Sequence, residues 1–135
     1  SFPGGKVEAH DADAVATALR ETEEEVGLAR HHVEVLGRLP VYTTVTGFVV
    51  TPVVGLVQPP FDLRIDTGEV DEAFEVPLQF LMTPAHHRRH RWDAGGGITR
   101  QFLSMPWPGN APESYFIWGA TAAMLRNLYG FLAQP

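Results

Sequence analysis

The sequence predicts a mixed chain of α/β or α+β class, and three observations carry that reading. A capped helical pattern lies near the start and a second one closes the chain. The stretch between them is rich in β-branched residues punctuated by Pro and Gly. At 135 residues, without repeats or low-complexity tracts, the length suits one domain, residues 1–135, with a real core.

The first helix is expected from residue 12 or 14 to residue 26. Asp11 or Asp13 can cap it, and Gly27 stands where a helix end favours a residue without a Cβ. VEVLGRLP (33–40) alternates apolar and polar residues and reads as a strand stopped by Pro40. Residues 46–57 read as a second strand, with Pro52 and Gly55 marking a bulge or an edge. QPPFDLR is a loop, 69–76 a further strand, and Pro77 opens a short helix reaching Leu81 or Met82. HRW and ITRQF flank DAGGG as the arms of a hairpin, and residues 115–118 form a last strand. The closing helix carries Ala122, Leu125, Leu128, Tyr129 and Leu132 on one face.

Composition excludes several classes. Hydrophobic content of 44% with 19% charged residues is globular and not disordered. The longest apolar stretch, VTGFVVTPVVGLV, is interrupted by Gly and Pro and falls short of the ~18–20 residues of a membrane span. The opening SFPGG reads as a turn and not as a signal peptide, and it is expected to continue a longer protein. The absence of cysteine removes disulfides and thiolate metal sites and fits a cytoplasmic protein. A net charge of −6 argues against nucleic acid as the main partner, although a local basic stretch could serve a small anionic ligand.

The acidic run RETEEE, behind a Gly4-Gly5 turn, carries the chemistry. At about 100° per residue, Glu21, Glu24 and Glu25 share one arc of the helix. Val15, Ala18, Leu19, Thr22 and Val26 share another, and Arg20 can pair with Glu24 one turn on. A solvated acidic face is the plain alternative. Crowded carboxylates repel one another, however, and a hard divalent cation bound through oxygen reverses that sign. The Gly-Gly turn lets backbone approach the same point.

The order of these residues resembles the Nudix hydrolases, whose box reads G-x5-E-x7-R-E-U-x-E-E-x-G-U. Gly5, Arg20, Glu21, Glu24, Glu25, Gly27 and Leu28 match it. Asp11 replaces the first acid, eight residues separate it from Arg20, and Thr22 stands at the apolar position U. The longer spacing with Asp is similar to the coenzyme A diphosphatase branch, where the run looks like FPGGxxDxxDxxxxxxALRExxEEVGL. VTGFVVTPVVG, EVDEAFEVPLQFL and YFIWGATAAML extend that likeness downstream. MPWP begins at Met105, too late for the array of NADH-cleaving relatives.

The resemblance implies an α/β/α sandwich with a mixed central sheet, lacking its N-terminal strands here. It implies hydrolysis of a diphosphate with Mg²⁺ or Mn²⁺. Glu21, Glu24 and Glu25 would be metal ligands, with the Gly4 carbonyl as a further one. Arg20 would orient the carboxylates, and Glu69 is the candidate general base or extra ligand, ahead of Glu72 and Glu75. Gly4, Gly5 and Tyr42 are candidate substrate contacts. The substrate would be coenzyme A or acyl-CoA, with no nucleic acid and no membrane as partner and a homodimer possible. Another nucleoside diphosphate derivative, such as ADP-ribose or a dinucleotide, and a non-catalytic binding module remain alternatives. HHRRHR (86–91) is the one dense basic patch, open to a solvated hairpin edge or to phosphate contact. Trp107, Tyr115, Phe116 and Trp118 are core residues or adenine-stacking ones.

Overall fold

Asp13 and Gly27 bracket the first helix as their chemistry dictates. In the computed structural model, which describes residues 1–109 and 114–135, helix α1 runs Ala14–Val26. Asp13 Oδ1 accepts the Ala16 N–H at 2.8 Å, and Gly27 closes the helix at φ 71°. A side chain at Gly27 would also collide with Arg64, whose Cβ would lie 2.6 Å away.

The chain divides into two compact units, Phe2–Phe74 and Glu75–Pro135. In the first, strand β1 (Val33–Arg38) pairs antiparallel with β4 (Val53–Val57), with a bulge between Val35 and Gly37. Between them in sequence, β2 (Tyr42–Thr43) and β3 (Val49–Val50) form their own small hairpin. The single strand expected over 46–57 is therefore split. Thr44 and Gly47 close a turn through it, and Pro52, which has no N–H to give a ladder, separates β3 from β4. Gly55 leaves room for Val33 of the facing strand, whose Cγ1 would stand 2.6 Å from a Cβ.

The strand expected over 69–76 does not form. The N–H groups of Glu69 and Val70 both bond the Asp66 carbonyl, at 3.0 and 2.8 Å, and Gly68 N–H bonds Asp66 Oδ1. Donors spent on a turn are lost to a ladder. Upstream of that turn, Arg64 N–H and Asp66 N–H bond the carbonyls of Val26 and Glu25. These are orphan acceptors at the end of α1, so the loop caps the helix and is fixed beside it.

In the second unit a short helix α2 (Leu78–Leu81) precedes strands β5 (Arg88–Asp93), β6 (Thr99–Trp107) and β7 (Tyr115–Trp118), an antiparallel sheet in that order. Helix α3 (Gly119–Leu132) closes the chain. Leu81, Met105, Ala122 and Leu125 form the core, joined by Leu103, Phe80 and Ile117. Leu132, expected on the buried face, is 54% exposed in the last turn.

The α+β class stands, but the strands among the described residues form three antiparallel sheets and not one mixed sheet. The connections explain this. The β2–β3, β5–β6 and β6–β7 links are short, and a parallel crossover needs a dozen residues or more.

Candidate active site

Arg20 is the hub of the first unit. Its Nε and Nη2 donate to the two oxygens of Asp11 at 2.9 and 3.0 Å, a bidentate fork. Nη1 reaches Glu21 Oε1 and Glu24 Oε2, each at 3.2 Å, and Nη2 also reaches the Lys6 carbonyl at 3.2 Å. All five donors of the guanidinium are thereby spent.

Asp11 is saturated in turn. Besides Arg20, it accepts the Glu8 N–H at 2.8 Å and the Thr17 hydroxyl at 2.9 Å. Its carboxyl is held well below the usual carboxylate range, chiefly by Arg20 and then by the Glu8 N–H, against the pull of burial. The Arg20 guanidinium is correspondingly shifted upward, with Asp11 the main cause. Thr17, one of two buried polar side chains among the described residues, belongs to this clasp. Apolar periodicity passed over it because it is polar. The loop of residues 6–11 is thus locked onto α1 by part-buried hydrogen bonds, and the Gly-Gly turn is carried with it.

That lock sets the remaining carboxylates. Gly5 lies so close to Glu21 that a Cβ added to it would stand 2.6 Å from Glu21 Cδ. Glu25 is one turn further along. Its carboxyl is pushed upward by burial first, then by a hydrogen bond with Glu21 and the charges of Glu21 and Glu69. A hydrogen bond from the Gly4 backbone opposes the shift. Glu25 thus feels Glu21 most strongly among its neighbours, with the charge of Glu69 the smallest influence. Glu69 itself stands in the Asp66 turn that displaced the expected strand.

Glu24 is drawn toward Arg20 and is more than half exposed. Among the described residues no three acidic or histidine side chains already surround one point as ligands. The donor set nonetheless suits a hard divalent cation of the Mg²⁺ type. All the groups are oxygens, and such ions use one or two carboxylates with water and substrate phosphates. Burial, and Glu21 beside it, push the Glu25 carboxyl upward, a condition that a bound cation would relieve.

Tyr42 is half-buried opposite Val50 in the β2–β3 hairpin of the first unit, and Glu75 is the first residue of the second unit's main segment. A cleft of about 520 Å³ opens beside Glu24, between α1 and the 62–66 loop, with Arg64 among Glu23, Asp62 and Asp66. No sequence signal marked it. The basic patch divides: His86 and His87 bond the Phe80 and Leu81 carbonyls at 2.8 and 2.6 Å and so cap α2, whereas Arg88, Arg89 and Arg91 remain exposed. Trp107 packs edge-on to Phe80 at 4.8 Å, a core contact. Phe116 and Trp118 are more than half exposed.

The NUDIX domain family matches residues 1–94. A protein of Escherichia coli K12 named "Uncharacterized Nudix hydrolase NudL" is 44% identical over 129 residues, covering 95% of this chain and 64% of its own length. Its namesake in Salmonella newport matches with the same identity and coverage. The chain thus spans under two thirds of the length of these curated relatives. No helix among the described residues is long and apolar enough to cross a membrane. The NUDIX match, together with an Arg20-centred clasp beneath Glu21, Glu24 and Glu25, makes this chain a member of the Nudix hydrolase family.

Proposed function

We propose that the protein is a metal-dependent hydrolase that cleaves the diphosphate of coenzyme A or acyl-CoA, acting as one Nudix domain over residues 1–135. The NUDIX match over residues 1–94, with Glu21 and Glu24 held on Arg20 beside Gly5, carries the hydrolase reading. The FPGG opening, the Asp11 spacing and the downstream likeness to the coenzyme A diphosphatases support the substrate.

Glu21 and Glu25 would hold the cation, Mg²⁺ or Mn²⁺, with Glu24 assisting and the Gly4 carbonyl as a further donor. That ion would supply charge neutralisation at the diphosphate and a more acidic water. Glu69 accepts the proton of the attacking water or adds a ligand. Arg20 positions the carboxylates and has no donor left for substrate. Gly5 and Tyr42 line the substrate path. Water attacks one phosphorus, the bridging P–O bond breaks, and 3′-phospho-AMP and (acyl-)phosphopantetheine leave. The protein works in the cytoplasm, and a homodimer is compatible with the fold.

The test is a product analysis by mass with coenzyme A, acetyl-CoA, ADP-ribose and NADH, with either metal, beside a Glu25→Gln control. Phosphopantetheine from the wild type alone is the expected result. Cleavage of ADP-ribose or NADH alone refutes the substrate and keeps the chemistry. Metal binding without turnover of any compound refutes both and leaves a binding module.

A further inference from the structure

The three-stranded sheet has two unlike faces. Leu103, Met105 and Ile117 point to the α3 core. On the opposite face the register aligns Trp92 with Arg100, His90 with Phe102, and Arg88 with Ser104 and Trp118, followed by Pro106 with Phe116. Rings cover this face in a continuous run. His90 stacks on Phe102 at 4.6 Å, Phe102 meets Trp118 at 5.7 Å, and Trp118 meets Phe116 at 6.4 Å. Beneath them Ser104 is fully buried and bonded to His90 Nε2 at 2.6 Å, so the raft is fixed from below.

The outer ring faces are open: Trp92 is 50%, Phe116 53% and Trp118 57% exposed. Arg88 and Arg100 stand on the same face, both exposed, and neither has an ion pair among the described residues. From Arg88 to Trp107 the hairpin holds four arginines against one acid, Asp93, so its charge opposes that of the whole chain.

From this face we infer that the sheet binds single-stranded nucleic acid, bases on the rings and phosphates on Arg88 and Arg100. Unpaired bases stack on aromatic platforms of sheets, and guanidinium groups track the backbone. The spacing fits a strand better than one nucleotide. Same-face residues recur every ~6.8 Å along a strand, about twice the ~3.4 Å step of a duplex strand. An extended single strand can therefore place successive bases on successive rows. The raft holds more rings and cations than one base and one phosphate require. Arg88 and Arg100 set the salt dependence, about 0.7 in log affinity per log salt for each phosphate they neutralise.

The test uses the 135-residue chain in chelator, so that binding cannot run through the carboxylate site and does not depend on the hydrolase reading. Labelled oligo(dT) and oligo(rA) of about 12 nucleotides are titrated by anisotropy, beside a duplex of equal length and AMP. Trp92→Ala should weaken binding at least about five-fold and Trp92→Phe restore it. Arg88→Ala with Arg100→Ala should lower the slope of log affinity against log salt by about 1.4. Circular dichroism checks that each variant is folded. No binding by the folded chain overturns the inference, as does duplex binding as tight as single strand. Equal affinity for AMP and oligonucleotide replaces the strand with a single-base site. A dimer that Trp92→Ala converts to monomer, without oligonucleotide binding, assigns the face to a second copy instead.

Discussion

Replacing Gly5 by Ala perturbs the site at one measurable distance. The new Cβ would stand 2.6 Å from Glu21 Cδ. Carbon atoms rest at about 3.5–4.0 Å, so the carboxyl must retreat by about 1 Å. Glu21 is a flexible side chain reached at its far end, so the move costs little stability. Catalysis is less forgiving, because a misplacement of about 1 Å can cost about 100-fold in rate. The expected result is a split: an unchanged melting temperature with kcat/KM down roughly 100-fold and weakened Mn²⁺ affinity by calorimetry. Gly4→Ala is the matched control, since a Cβ there meets nothing within 4 Å and the backbone N–H is kept. Near-normal activity in Gly5→Ala would refute the argument that Gly5 sets Glu21. Equal loss in both variants would refute its assignment to that one contact.

Arg20→Lys keeps the charge but loses the fork to Asp11. Metal affinity or activity should fall about 10–100-fold although Arg20 touches no substrate, which metal titration and steady-state kinetics check. Asp11 is depressed in the fold, so its stabilisation is present above its ordinary pKa and is lost as pH falls through the folded value; Asp11→Asn should flatten an acid unfolding curve. Glu25 carries the opposite sign. The metal-free fold binds a proton that the unfolded chain has released, so stability falls as pH rises from the ordinary carboxylate value to the raised one. Mg²⁺ should restore stability above that window, Glu25→Gln should remove the pH step, and thermal melts with and without chelator decide. Met105→Ala, at a fully buried core position, should cost about 2–5 kcal/mol in denaturant titration and leave metal binding by the first unit unchanged.

Much of this architecture was legible from local chemistry. Asp13, Gly27 and the DAGGG turn act through their own backbone geometry, so α1 and the β5–β6 hairpin fall where the residues say. The failures are tertiary. Residues 69–76 have strand-like composition, but the Asp66 carbonyl captures the donors that a strand would use. Asp11 reads equally well as a helix cap or a box acid, and only the tertiary contacts decide: Asp13 caps the helix while Asp11 forks with Arg20. His86 and His87 look like a basic patch, yet each finds a carbonyl six residues back. Thr17 and the Arg64 cleft depend on contacts that no periodicity encodes.

The crowding of acids in RETEEE has a physical resolution in how one cation is shared. Arg20 spends two of its donors on Asp11, one on Lys6, and Nη1 on Glu21 and Glu24. Glu23 turns outward and is exposed. Nothing in this count neutralises Glu25, which burial and Glu21 together push toward its protonated form. The helix thus carries a deficit of positive charge at Glu25. A lysine in that position would relieve the repulsion permanently. In the proposed site a divalent ion would supply the missing counter-charge, with water and substrate phosphates completing its coordination. The repulsion that lowers the stability of the metal-free chain is therefore the same energy that favours the loaded one, which is why Glu25→Gln should stabilise the fold and weaken metal binding in a single step.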